Sequence, residues 1–132
     1  MQRVVLTDQI WAEGRGPELR RVHYAHTQLT ALDYLNPNWS SETDTRHLLF
    51  HRAQVAMFTP EEVHNYDRDV VKWGPKIDHA AVINLGKSDW LIGFAQRHLD
   101  RCSHYRLMFY DEFLDVICEN ISAGPGPYSQ TG

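Results

Sequence analysis

Apolar residues along this chain recur mostly at every second position or in short unbroken runs, a pattern of strands more than of long helices. "QRVVLTDQIW" (2–11) reads as a strand ending in the turn segment "AEGRGPE", and "LRRVHYAHTQLTALDYL" (19–35) reads as a long return strand, so the first 35 residues predict a hairpin. "HLLFHRAQVAMF" (47–58) predicts a third strand and "HAAVINLG" (79–86) a short apolar one. "HYRLMFYD" and "FLDVICENI" close the pattern as two strands around a turn at Asp111 and Glu112.

Two helices interrupt this series. Thr59, Pro60 and Glu62 make a capping box with proline at the first helical position, which predicts a short helix over 60–68. Ser88 can cap a second helix through "DWLIGFAQRHLDR", where Leu91, Phe94, Ala95, His98 and Cys102 fall on one face at helical spacing. The expected order is β-β-β-α-β-α-β-β. Hairpins without regular βαβ alternation predict an α+β domain: a mostly antiparallel, curved sheet or half-barrel with one or two helices packed on a face. "SAGPGPYSQTG" (122–132) has the composition of a flexible tail, which leaves residues 1–121 as a single globular domain.

Composition narrows the function. The 132 residues are 42% hydrophobic and 23% charged, as in an ordinary soluble domain, and the net charge of −4 argues against a nucleic-acid binder. The N-terminus lacks the apolar core of a signal peptide, and no run approaches the length a membrane helix needs, so the expectation is a cytoplasmic protein without membrane contact. Two cysteines, Cys102 and Cys118, are too few for a disulfide scaffold and read as free thiols.

Candidate chemistry concentrates in "RHLDRCSHYRLMFYDEFLDVICEN" (97–120). His98, Cys102 and His104 lie within seven positions, but their spacing matches no zinc signature, so they are a weak metal candidate and no cofactor is expected. His104 can face Asp115 or Glu119 across the last hairpin, and such a pair can act as acid and base. With His26 and His51 on other strands, it outlines a histidine-lined pocket on the concave sheet face, for a small molecule or for acid–base chemistry. No nucleophile elbow, phosphate loop or HExxH motif accompanies it.

A third set of residues is aromatic and acidic. Trp39 stands in a polar loop. Tyr66 and Trp73 lie in a segment with Glu61, Glu62, Asp67 and Asp69, a composition suited to docking a basic protein partner. The leading expectation is therefore a small non-enzymatic binding domain with a protein partner, in an inhibitor or immunity-like role. The alternative is the histidine pocket. Edge strands of an open sheet also allow a homodimer.

Overall fold

A computed structural model describes residues 3–13, 15–37, 44–60 and 80–129. Among them nine strands form two antiparallel sheets: β1 Arg3–Val4, β2 Glu18–Ala25, β3 Gln28–Leu35, β4 Arg46–His51, β5 Val55–Pro60, β6 Val82–Gly86, β7 Ser103–Met108, β8 Glu112–Cys118 and β9 Asn120–Pro125. One sheet runs β1-β6-β7-β8-β5 and the other β2-β3-β4-β9. The described residues are thus mostly antiparallel β with few of them helical. Two packed sheets replace the single curved sheet or half-barrel, and the expected element order does not hold.

The differences have local causes. Of the first expected strand only Arg3–Val4 pairs, with Ile83 and Asn84, because Leu6 turns left-handed (φ 58°) and starts a turn. The run 19–35 is itself a hairpin. His26, also left-handed at φ 58°, makes a two-residue loop with Thr27 and folds β3 back on β2. Thr59 and Pro60 do not cap a helix. They end β5 opposite Phe113 and Glu112, at a sheet edge where a residue without an N–H costs no ladder bond, and residues 61–68 lie outside the described set.

Residues 46–60 and 112–125 form one long antiparallel ribbon that belongs to both sheets. β4 pairs β9, then β5 pairs β8, and the register slips by one at the junction: His51 faces Asn120 but Val55 faces Ile117. The extra residue makes a bulged corner around Arg52 (φ 55°), the usual device for passing a strand from one sheet to another. Gln54 N donates to Ile117 O at 2.8 Å, Glu119 N donates to His51 O at 2.9 Å, and Arg52 Nε meets Glu119 Oε2 at 3.1 Å, so both strands turn the corner tied together. Residues 122–125, expected as tail, are therefore the last four residues of β9.

The core lies between the sheets. Leu29, Leu32, Tyr34, Leu48, Phe50 and Ile121 from one side meet Val82, Tyr105, Leu107, Leu114, Val116 and Cys118 from the other. Period-two alternation then sends His104, Arg106, Asp115 and Ile117 to the opposite face of their sheet. That face is covered by a helix α1, Asp89–Gly93, and a 3-10 helix, Arg97–Arg101, whose Leu91, Leu99 and Cys102 pack on Ile117 beside Val55 and Trp90.

The single long helix expected here is broken. Phe94 N–H turns back to Leu91 O and Ala95 N–H to Ile92 O, with Ala95 left-handed at φ 51°, so the chain reverses after Gly93. Leu91 and Cys102 remain buried, while Phe94, Ala95 and His98 turn out to solvent. Lys87 secures the second piece by donating from Nζ to the carbonyls of Leu99, Asp100 and Cys102.

Candidate functional site

The sheet face beneath α1 carries a continuous chain of polar contacts. Arg106 and Asp115 are opposite each other in the β7–β8 ladder, and Arg106 grips the carboxylate with Nε to Oδ1 at 2.8 Å and Nη2 to Oδ2 at 2.9 Å. His104, two residues before Arg106 and so on the same face, places Nε2 2.7 Å from Asp115 Oδ1. Its other ring nitrogen, Nδ1, lies 2.7 Å from Ser88 Oγ. Ser88 is the N-cap of α1, and its Oγ accepts the Leu91 N–H at 3.2 Å. Trp90, in the first turn of α1, tilts its ring against the imidazole with the centroids 4.7 Å apart.

Burial and charge fix the direction of the bonds to Asp115. His104, Arg106 and Asp115 are 0%, 2% and 1% exposed. Burial pushes the Asp115 carboxyl pKa up, but hydrogen bonds from His104 and Arg106 and the guanidinium charge outweigh it, leaving it below the ordinary carboxylate range. An ionised Asp115 accepts from Nε2–H, while Nδ1 is bonded to the Ser88 hydroxyl, whose oxygen also accepts from Leu91 N–H. Arg106 and Asp115 set opposite charges against each other within this buried set.

Serine, histidine and aspartate thus stand in the order used for acyl transfer. Three features set this arrangement apart. The imidazole has no exposed surface, the carboxylate is neutralised by a bidentate arginine, and the serine oxygen is engaged as a helix cap. What the chain of bonds accomplishes directly is to fix α1 to the sheet and to satisfy a buried ion pair, whose members are costly when left unpaired.

A second histidine–aspartate pair occupies the outer face of the other sheet. His23 Nε2 is 3.0 Å from Asp33 Oδ2, and Asp33 Oδ1 accepts the Tyr128 N–H at 2.8 Å. His47, opposite Asp33 in the β3–β4 ladder, donates from Nδ1 to Gly126 O at 2.9 Å. The Tyr128 ring packs edge-on to both imidazoles, 5.1 Å from His23 and 6.0 Å from His47. Gly124 permits this, since a Cβ there would meet the His47 ring at 2.6 Å. Residues 126–129 therefore strap the face.

Of the residues singled out in the sequence, His104 and Asp115 come together. His26 and His51 do not join them. His26 is exposed in the β2–β3 turn, and His51 is exposed on the strapped sheet with Nε2 3.0 Å from Ser122 Oγ, so the expected four-residue pocket does not form. His98 is exposed on the 3-10 helix while Cys102 and His104 are buried, and among the described residues no group of metal-ligating side chains converges. Burial raises the pKa of the Cys102 thiol and pushes Cys118 to about 12, which keeps both protonated and poor nucleophiles. Trp39, Glu61, Glu62, Tyr66, Asp67, Asp69 and Trp73 lie outside the described residues.

Sequence reasoning passed over Ser88 as a partner of His104, Arg106 as the counter-ion, and the set His23, Asp33, His47 and Tyr128. Alternation from His104 puts Arg106 on the same face, so that part was within reach. Nothing local marks Tyr128, whose partner Asp33 is 95 residues away. No protein-family model matches this chain, and no curated protein and no solved structure matches it either.

Proposed function

We propose that this domain acts by binding, without catalysis, and that its partner is a protein. One observation carries the reading. The groups an acid–base mechanism would employ are consumed inside the fold, with both nitrogens of a fully buried His104 already bonded and Asp115 held by Arg106. The binding surface in this proposal is the acidic–aromatic segment with Glu61, Glu62, Tyr66, Asp67, Asp69 and Trp73, joined by Trp39. Aromatic anchors ringed by carboxylates suit a basic protein partner, in an inhibitor or immunity-like role. The same reading makes the chain a cytoplasmic domain that contacts neither nucleic acid nor membrane.

The test is a photo-cross-linking residue at position 73, followed by binding of the purified partner. Trp39→Ala and Trp73→Ala should weaken that binding at least tenfold while leaving the melting temperature nearly unchanged, as expected for hot-spot side chains. Large destabilisation by both substitutions would make these rings core residues and sink the proposal.

One observation favours a second reading, acid–base chemistry on a small molecule. Ser88 is only half-buried, and its hydroxyl is 2.7 Å from the histidine of a His–Asp pair. A serine-directed fluorophosphonate separates the two. Labelling of the wild type that is lost in both Ser88→Ala and Asp115→Asn selects the enzyme, and a wild type that stays unlabelled selects the binding domain.

A further inference from the structure

We propose that the seam between the two sheets is a binding site for a neutral, hydroxyl-rich ligand, a glycan. At one end of the sandwich the tip of the β2–β3 hairpin abuts the corner where β4 passes into β5. Both are built on left-handed residues, His26 and Arg52, and Gln28 Nε2 donates to Ala53 O at 3.1 Å across the junction. The open cleft between them has a volume of about 380 Å³, with Tyr24, Thr27, Gln28 and Gln54 around a floor of Leu29 and Ala53. That volume lies within the range of roughly 300–1,000 Å³ that small ligands occupy.

The lining selects the ligand's chemistry. In a chain whose residues are 23% charged, no carboxylate, ammonium, guanidinium or imidazole among the described residues lines this cleft, so recognition by these residues does not turn on an ionic group. What the cleft offers is amide and hydroxyl. Gln28 and Gln54 are oriented by donating to the carbonyls of Ala53 and Arg52, at 3.1 and 3.3 Å, which leaves their Oε1 atoms as acceptors without a partner among the described residues. Tyr24 Oη and Thr27 Oγ1 likewise have no hydrogen-bond partner among the described residues.

Tyr24 adds a flat apolar surface, 47% exposed at the rim. A pyranose ring presents both requirements at once, a C–H face that packs on an aromatic ring and a rim of hydroxyls that alternate as donors and acceptors. The hairpin tip and the bulged corner are each fixed by backbone pairing, so the site is preformed and ligand binding orders little chain.

None of the residues named around the cleft belongs to the acidic–aromatic segment in sequence, and the two readings fail separately: Trp73→Ala leaves glycan binding unchanged. The experiment is titration calorimetry of the full chain with neutral tetrasaccharides (cellotetraose, xylotetraose, maltotetraose and chitotetraose), together with binding to an N-glycosylated protein before and after enzymatic deglycosylation. Saturable binding to a free tetrasaccharide assigns a free glycan. Binding to the glycoprotein alone, abolished by deglycosylation, assigns a protein-borne one. In either case Tyr24→Ala should weaken binding about tenfold or more, and Tyr24→Trp, which keeps the stacking surface, should retain it. No binding to any of these probes, or binding that Tyr24→Ala leaves intact, overturns the proposal.

Discussion

The two sheets carry the same pair of residues on their outer faces and treat them differently. On the face covered by α1, His104 and Asp115 are 2.7 Å apart with side chains 0% and 1% exposed. On the face strapped by residues 126–129, His23 and Asp33 are 3.0 Å apart and 15% and 6% exposed. The first carboxylate answers to a guanidinium, a full charge that cannot reach water. The second answers to an imidazole and a backbone N–H. The comparison separates what a His–Asp contact is from what its cover makes of it, because an ion pair excluded from water is costly to break on one side.

The largest effect should come from breaking the enclosed pair. Asp115→Asn leaves Arg106 buried without its counter-ion and should cost about 3–5 kcal/mol in urea denaturation. Replacing both partners, Arg106→Met with Asp115→Leu, removes the stranded charge, and the double variant should be more stable than Asp115→Asn alone. A double variant as unstable as the single one would show that packing, not charge, governs the site.

The pH dependence has a definite sign. Hydrogen bonds and charge hold the folded Asp115 pKa below its unfolded value of about 3.9, so its contribution is complete above that pH and is lost as the pH falls through the folded pKa. Wild type and Asp115→Asn should therefore converge in stability on acidification from pH 5. Parallel curves would contradict an ionised Asp115.

The strapped face should respond less. Asp33→Asn keeps an acceptor for Tyr128 N–H and should cost about 1–3 kcal/mol, the range for one compromised buried hydrogen-bonded group. Truncation after Pro125 removes the bonds to Asp33 and His47 and should cost a similar amount, with faster amide exchange confined to β3, β4 and β9. Equal costs for Asp33→Asn and Asp115→Asn would erase the distinction between the two covers.

The two faces also differ in how far the sequence announces them. Alternation through "HYRLMFYD" and "FLDVIC" puts His104, Arg106 and Asp115 on one side, and the Ser88 cap is a local signal that the structure keeps. The strap involves partners 79 and 95 residues apart, and its composition of Gly, Pro and Ser reads as loose chain. The strands look longer in the sequence than they are for a related reason. Period-two patterning continues through a hairpin turn and through a bulged corner, so residues 19–35 and 47–58 look unbroken although His26 and Arg52 reverse or redirect them. Neither residue is a glycine or an asparagine, and the left-handed conformation there is imposed by sheet pairing on both sides. The long second helix failed at Ala95 in the same way, with tertiary burial of Leu91, Leu99 and Cys102 outweighing a continuous helical stripe.

The smallest effects sharpen the comparison by reporting on each cover without much change in stability. Ser88→Ala removes a cap and the hydroxyl that serves His104 Nδ1, at a cost of about 1 kcal/mol. The cysteines make this readable. Cys102 lies under the 3-10 helix in the small cluster with Leu91 and Leu99, whereas Cys118 belongs to the core between the sheets, where burial pushes its thiol pKa up to about 12. A disulfide reagent consumes thiolate, so Cys118 should react only through global unfolding, while lifting the helical cover suffices to expose Cys102. Cys102 should therefore react faster at pH 8. Ser88→Ala should accelerate Cys102 by about fivefold, the factor that ~1 kcal/mol implies, and should speed Cys118 only as far as it lowers global stability. Truncation after Pro125, which touches the other sheet, should not favour Cys102 over Cys118. Equal acceleration of both thiols by Ser88→Ala would mean that the cover does not open on its own and that the enclosed face is as stable as the core beneath it.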